Sequence, residues 1–191
     1  MFSCDTLILY DTEWTTWPGF WESNWSLPGK WCEIAQIGAV KLSANDGYSE
    51  MDSFQVLVIP KRNPLLSDYF IDLTGITQER VDREGIPFPR ALEGFLSFAG
   101  NGPAEYSCYG GDADKIRRNC DIHGIPFPSA IRHSVDIRRN LIDRGLTKPE
   151  WFSSDLTLKL GLQKEGVSHD ALCDARTVAS ALRYFRQQGL V

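Results

Sequence analysis

The chain is short of several features that would place it quickly. Its five cysteines, Cys4, Cys32, Cys108, Cys120 and Cys173, are scattered with no C-x-x-C pair. That pattern fits reduced thiols in a cytosolic protein better than a zinc site or a disulfide framework. No apolar run approaches the roughly 18 residues that span a membrane. The N-terminal stretch Met1–Asp5 lacks the basic region and apolar core of a secretory signal. These absences predict a cytoplasmic protein with no membrane association. Positive charge is also in deficit: 20 basic residues face 25 acidic ones, a net of −5, which argues against a general polyanion binder. What remains is an ordinary globular composition, 42% hydrophobic and 24% charged over 191 residues. That length fits one domain with a sizeable core, here taken as residues 1–191. The charge is unevenly spread. Residues 1–114 carry 7 basic and 17 acidic side chains, whereas residues 115–191 carry 13 basic and 8 acidic ones. An acidic front and a basic back suit a site where carboxylates hold metals and nearby Lys and Arg hold phosphates.

The stretch around which the chain is organised is Thr6–Glu13, a short apolar run ending in Asp11-Thr12-Glu13. Its length and β-branched and aromatic content predict a buried strand. Residues two apart on a strand share a face, so Asp11 and Glu13 leave one side together at the strand's C-terminal end, where open α/β sheets place ligands. Two like charges that close repel unless a cation lies between them, and a divalent, oxygen-preferring metal answers that need. The opposing reading is that carboxylates after a strand are solvated turn residues.

Residues 14–31 follow, with five of the six tryptophans and two Pro-Gly pairs. No period runs through them, so they read as an insertion loop beside the carboxylates. Most of the rings are expected to form a local apolar cluster, with one or two facing substrate. Cys32–Leu42 and Ser53–Ile59 read as strands that complete an antiparallel meander with the first. Thr77 is placed to cap a helix, and Pro89–Ala99 has helical spacing. Ala104–Tyr109 reads as a fourth strand, Asp112–His123 as a helix, residues 131–137 as a short fifth strand, and Arg138–Arg144 and Leu156–Leu162 as short helices. His169–Gln188 reads as a long amphipathic helix with Ala171, Ala175, Val178, Ala179, Leu182 and Phe185 inward. Gly-Ile-Pro-Phe-Pro occurs at 85–89 and 124–128, which reads as shared punctuation rather than a repeat. A meander followed by alternating strands and helices gives an α/β sheet of mixed direction.

His169 and Asp174 are five apart, about 500° of helical rotation. They converge only if His169 lies on the loop just ahead of the helix. A further acidic candidate lies in Gly110-Gly111-Asp112-Ala113-Asp114, where a strand ends and a helix begins. There Asp112 suits an N-cap, and Asp114 would sit in the first turn.

Taken together, Asp11-Thr12-Glu13, an Asp opening a helix after the fourth strand, and His169-x-Ala171-x-x-Asp174-Ala175 resemble the three motifs of the DEDDh, or DnaQ-like, 3′→5′ exonucleases. Glu33–Leu42 resembles that family's second strand, and Leu73-Thr74-Gly75-Ile76-Thr77 its recurrent Thr-Gly-Ile segment. The resemblance covers about residues 5–186 and is nearest to the compact branch that trims RNA 3′ ends.

It implies a ribonuclease-H-like fold, a mixed five-stranded sheet with strands 1–3 antiparallel and strands 4 and 5 parallel to strand 1, flanked by helices. It implies metal ligands Asp11, Glu13, Asp114 and Asp174, with Asp112 as the alternative for the middle position, because this chain has Ala113 where the family often has an aromatic. Two Mg²⁺ or Mn²⁺ ions and His169 as general base complete the implied site. Thr12, Trp14, Thr74, Gly75 and Ile76 are the implied substrate contacts. The partner would be the 3′ end of a single-stranded nucleic acid, released as nucleoside 5′-monophosphates. Related enzymes are often homodimers. Two rival readings stand beside this one: hydrolysis of very short oligonucleotides, and a non-catalytic binding module on the same fold. Lys115, Arg117, Arg118, Arg138, Arg139 and Arg176 are candidate phosphate contacts, and His123 and His133 match no motif.

Overall fold

The computed structural model describes residues 2–163 and 166–191. Six strands form one sheet: β1 Thr6–Trp14, β2 Ile34–Ser43, β3 Ser49–Ile59, β4 Ile86–Pro87, β5 Ala104–Cys108 and β6 Val135–Asp136. Their order is β4-β3-β2-β1-β5-β6. β1 pairs antiparallel with β2 and parallel with β5, and β2 pairs antiparallel with β3. β6 runs parallel to β5. The mixed sheet with its antiparallel meander is therefore as expected, with one addition. The sixth strand, β4, is a two-residue edge ladder on Val58 and Ile59. Its Pro87 has no N–H to offer, which an edge tolerates.

Eight helices surround the sheet among the described residues: α1 Asp68–Thr74, α2 Gln78–Glu84, α3 Phe88–Phe98, α4 Asp112–His123, α5 Ser129–Arg132, α6 Ile137–Asp143, α7 Leu156–Lys159 and α8 Ala171–Gln187. Thr77 does cap α2, accepting from the Arg80 N–H. The segment read as a strand over 131–137 divides instead. Pro128 opens the helical turn α5, and extended backbone is confined to Val135–Asp136, where Asp136 accepts the Arg139 N–H and starts α6. The two Gly-Ile-Pro-Phe-Pro stretches differ in conformation. Gly124 ends α4 at φ 66°, while Gly85 ends α2 in the extended region and leads into β4. They are punctuation, not a repeat.

Strand alternation decides what faces what. Leu7 and Leu9 of β1, with Val40 and Leu42 of β2, pack under Val178, Leu182 and Phe185 of α8 and Leu141 of α6. Ile8 and Tyr10 point the other way, onto Phe88, Leu92 and Phe95 of α3 and Ile116 of α4. A third cluster joins Phe70, Ile76 and Val81 to Ala35 and Leu57. Each such fully buried side chain contributes on the order of 1.5–3 kcal/mol.

The start of α8 is held against the sheet at one point. A Cβ on Gly38 of β2 would lie 2.1 Å from the Leu172 nitrogen, so only glycine fits. Gln36, two residues earlier on the same strand face, accepts the Ala171 N–H through Oε1 and donates through Nε2 to Asp170. Gln55 of β3 donates to the same Asp170 carboxylate. The α8 N-terminus is thereby tied to β2 and β3, beside the end of β1.

Candidate active site

The alternation that buries Leu7 and Leu9 continues to Asp11 and Glu13, so both carboxylates leave β1 on the α8 side and both are buried. Asp174, in the first turn of α8, is buried beside them. The fourth carboxylate comes from α4. Asp112 is 4% exposed, and its Oδ1 accepts from the Thr12 N–H at 3.0 Å and the Thr12 hydroxyl at 2.6 Å. Thr12, on the opposite face of β1 from Asp11 and Glu13, thus links the central strand to the first turn of α4.

His169 lies on the loop ahead of α8, the placement its spacing from Asp174 demands. It adopts φ 61°, a region that a non-glycine residue enters at a cost of about 1–2 kcal/mol. Its N–H donates to Asp174 Oδ2 at 3.2 Å, which fixes the turn. One ligand atom from each of Glu13, His169 and Asp174 fits within 4.8 Å of the others.

The electrostatics are those of crowded like charges. Burial pushes the Asp11 carboxyl well above its usual range, and Asp112, Glu13 and Asp174 push it further, against a hydrogen bond from Ser153. Glu13 is raised by burial and then by Asp174 and Asp112. Burial lifts Asp112 to about 6, although the Thr12 bonds and the Lys115 ammonium oppose the shift. A buried set of carboxylates that repel one another is the donor set a hard divalent cation takes, because its charge offsets the repulsion that the protein alone leaves standing. The residues present fit such an ion.

One expected member does not reach the cluster. Asp114, assigned above as the middle metal ligand, projects from the outer side of α4, 71% exposed, and pairs with Arg117 at 3.3 Å. The physical reason is helical phase. Asp112 is the first residue of α4 and turns back onto Thr12, and two residues on the helix has rotated about 200°, which carries Asp114 to solvent. The alternative, Asp112, is the acid of α4 that is buried and lines the cavity with Asp11, Glu13 and Asp174.

Thr74, Gly75 and Ile76 also lie elsewhere than expected. Gly75 is the left-handed cap of α1, Thr74 donates to the Phe70 carbonyl and accepts the Ile76 N–H, and Ile76 is 1% exposed in the third core cluster. They shape the α1–α2 corner, and none lines the cavity over the carboxylates. Tyr69 and Leu73, on the same helix, do line it. That cavity, of about 850 Å³, is lined by Asp11, Glu13, Asp112, His169 and Asp174, by residues of the tryptophan loop, and by Tyr109, Phe152 and Ser153. Thr12 and Trp14 line it as well.

The loop is an aromatic cluster closed on itself. Phe20 is fully buried and meets Trp17 and Trp25 edge-on at 5.3 and 5.5 Å, and Trp25 also meets Trp14 and Trp21. The exposed faces are largely capped by cations. Lys115 Nζ lies 4.2 Å from the Trp14 ring centre and 4.4 Å from that of Trp25, Lys30 lies over Trp17, and Arg62 stacks on Trp31 at 3.9 Å. At the loop's far end Glu33 accepts the N–H groups of Lys61, Arg62 and Asn63, which anchors the return to β2.

The six basic candidates separate cleanly. Lys115 and Arg138 line the carboxylate cavity. Arg117 pairs with Asp114 and Asp121, Arg139 with Asp143, and Arg176 with Glu50. Arg118 lines a second cavity on the other side of the loop. His123 stacks on Phe88 and His133 contacts the Ser129 carbonyl, away from the site. Tyr69, Tyr109, Arg138 and Ser153 reach the cavity from four separate elements, and the sequence signals only Arg138, as one charge among six. Gln36 and Gln55, which brace α8, carried no signal beyond lying on strands.

The strand order, with the carboxylates at the C-terminal end of a central strand and the first turns of two helices, defines a ribonuclease-H-like exonuclease fold. Residues 8–182 match the family described as Exonuclease (RNase T), and the chain belongs to that family. It is 29% identical over 173 residues to 3′-5′ exoribonuclease 1 of Rattus norvegicus, covering 82% of this chain and 48% of that sequence. It is 28% identical over 194 residues to ERI1 exoribonuclease 2 of Danio rerio, covering 91% of this chain and 33% of that one. The chain thus spans about half, or less, of the length of these relatives. Among solved structures, the nuclease domain of 3′hExo, a DEDDh family member bound to rAMP, superposes with a TM-score of 0.84 at 25% identity, over 97% of this chain and 93% of that one. Cell-death related nuclease 4 (CRN-4) shares the fold with a TM-score of 0.79 at 23% identity, over 97% of this chain and 64% of that one. Among the described residues no helix is long and apolar enough to cross a membrane.

Proposed function

We propose that the chain is a metal-dependent 3′→5′ exonuclease that removes nucleoside 5′-monophosphates from single-stranded ends, with RNA the preferred substrate. The observation that carries this reading is the convergence of Asp11, Glu13, Asp112, Asp174 and His169 on one cavity. The names of the relatives, exoribonucleases, support the direction of attack and the choice of RNA.

Asp11, Glu13, Asp112 and Asp174 would hold two Mg²⁺ or Mn²⁺ ions, which when bound supply charge neutralisation at the scissile phosphate and a more acidic water. Thr12 keeps Asp112 aimed inward through two hydrogen bonds. His169 takes the proton of the attacking water at its imidazole, and the strained turn tied to Asp174 keeps this residue on the cavity lining. Arg138 and Lys115 are the cations that face the phosphates. An unpaired 3′ end is the substrate this reading takes, since the carboxylates share their cavity with the aromatic side chains of the tryptophan loop.

The same loop is the one feature that favours the rival reading, in which only very short oligonucleotides fit. Degradation of 3′- and 5′-labelled single-stranded RNA and DNA in Mg²⁺, Mn²⁺ or EDTA, beside Asp11→Ala and His169→Ala, separates the two. Stepwise loss from the 3′ end, abolished by EDTA and by both substitutions, is the expected result. Cleavage of two- to five-residue oligomers with long strands untouched would establish the rival. Retained activity in EDTA would sink both.

A further inference from the structure

Beyond the tryptophan loop from the carboxylates lies a second cavity, of about 590 Å³, which the chemistry above leaves unused. Trp25 lines both cavities and is the partition between them. The second is lined by Lys30, Trp31, Arg62 and Arg118, with Asp121 as its single acid. Asp121 is already partnered by Arg117. In a chain of net charge −5, three cations facing one cavity with a neutralised acid form a local positive site.

Helix α4 runs along both cavities. Asp112 and Lys115 face the first, and Arg118, Asp121 and Ile122 the second. From Asp112 to Ile122 the helix advances about 15 Å, the length of roughly four stacked nucleotides. The Arg62 guanidinium lies over the ring of Trp31, a residue 43% exposed, with its carbon 3.9 Å from the ring centre, and this pairs a cation with an aromatic face of the kind on which bases stack. No hydrogen bond or ion pair holds the Arg118 head among the described residues, and it lies open to solvent beside Cys32.

We infer that this cavity is a second nucleic-acid subsite, which takes the phosphates and one base of the single strand upstream of the 3′ end on Arg62, Arg118, Lys30 and Trp31. The inference rests on the exonuclease reading for which strand enters, and it adds how a longer strand is held. It makes the tryptophan loop a ridge that the strand crosses at Trp25, rather than a stopper.

The test is binding of a labelled single-stranded RNA of about twenty nucleotides in EDTA, at several salt concentrations. Wild type is compared with Arg62→Glu/Arg118→Glu and with Arg118→Glu alone, a change at an exposed side chain that the fold tolerates. The double variant is expected to bind at least tenfold more weakly. Its plot of log affinity against log salt should be shallower by about 1.4, since each phosphate contact on a single strand contributes about 0.7. The single variant should lose about half of that slope change. In parallel, the ratio of kcat/KM on the twenty-mer to that on a dinucleotide should fall about tenfold in the double variant.

Equal binding and an unchanged ratio in both variants would overturn the subsite. So would displacement of the RNA by an acidic peptide at equal concentration, which would assign the cavity to a protein partner. If wild type cleaves nothing yet binds RNA in EDTA, and the variants lose that binding, the subsite stands and only the exonuclease reading fails.

Discussion

The two walls of the main cavity are built on opposite principles. One gathers four buried carboxylates on the ends of β1, α4 and α8, held by backbone and side-chain bonds, with their repulsion only partly offset by Lys115 and by hydrogen bonds. The other gathers tryptophan rings on a loop and covers faces of Trp14, Trp25 and Trp17 with the chain's own cations, Lys115 and Lys30. The comparison teaches where ligand is needed. The acidic wall is electrostatically incomplete without a cation, whereas the aromatic wall is largely complete as it stands. Lys115 belongs to both, over Trp14 and Trp25 and close enough to Asp112 to oppose the rise of its carboxyl.

The sharpest break falls on the acidic wall. Asp112→Asn removes a buried charge from the cluster and should lower activity on the order of a thousand-fold, whereas Asp114→Asn, on the exposed face of α4, should leave it within about twofold. Side-by-side turnover on labelled single strands decides it. Equal losses in the two variants would return the middle position to Asp114.

The second effect is a pH dependence of stability. Asp11, Glu13 and Asp112 all have carboxyls raised in the folded protein, Asp112 to about 6. Between about pH 4 and pH 6 the folded state therefore binds more protons than the unfolded chain, and stability falls as pH rises through that window. For Asp112 alone the loss is on the order of 3 kcal/mol by pH 7. Denaturant titrations in EDTA should show it. Mg²⁺ or Mn²⁺ should restore stability above pH 6 and do little at pH 4, where the carboxyls are protonated. A flat profile in EDTA would mean that the cluster is less crowded than its geometry implies.

The third prediction cuts the link between the walls. Lys115→Met keeps the length of the stem and deletes the charge, removing two cation–π contacts worth about 2 kcal/mol together in a buried setting. It also removes the cation that lowers Asp112. Metal binding, followed by the Trp14 and Trp25 fluorescence, should then need a higher pH than in wild type. If stability drops while the pH midpoint stays put, Lys115 serves the loop alone.

The two walls also differ in how far they could be read in advance. That Asp11 and Glu13 share a face was legible because strand alternation is a short-range rule, and the place of His169 ahead of α8 followed only once the family resemblance paired it with Asp174, five residues on. The mixed sheet followed from the meander and the alternating elements. Asp114 was misplaced because the resemblance matched the second acid of Asp112-Ala113-Asp114 to the family's middle position, although the helix was read to begin at Asp112, as it does; the Thr12 bonds that hold Asp112 inward come from 100 residues away. Thr74–Ile76 carried a recognisable pattern that serves a helix corner, and the cavity contacts on that helix are Leu73, the residue just before it, and Tyr69, five residues before Thr74. The braces on α8, Gln36 and Gln55, and the cations on the tryptophan rings depend wholly on tertiary contact, which no local pattern announces.

The smallest effect sharpens the aromatic side. Trp21 differs from its neighbours: it is 66% exposed, meets only the edge of Trp25, and has no cation over its ring among the described residues. A ring so exposed adds little to folding, so Trp21→Ala should change stability by no more than about 0.5 kcal/mol. Trp17→Ala should cost more, since Trp17 touches the buried Phe20 and carries Lys30. Stacking of a base on an aromatic ring is worth about 1–3 kcal/mol, and a ring at the cavity rim, wetted on one side, should deliver the lower end. Trp21→Ala should therefore raise KM for a single-stranded substrate about fivefold with kcat little changed. The opposite pattern, a stable KM and a large loss of stability, would place Trp21 with the self-contained cluster and leave the whole aromatic wall without a face for substrate.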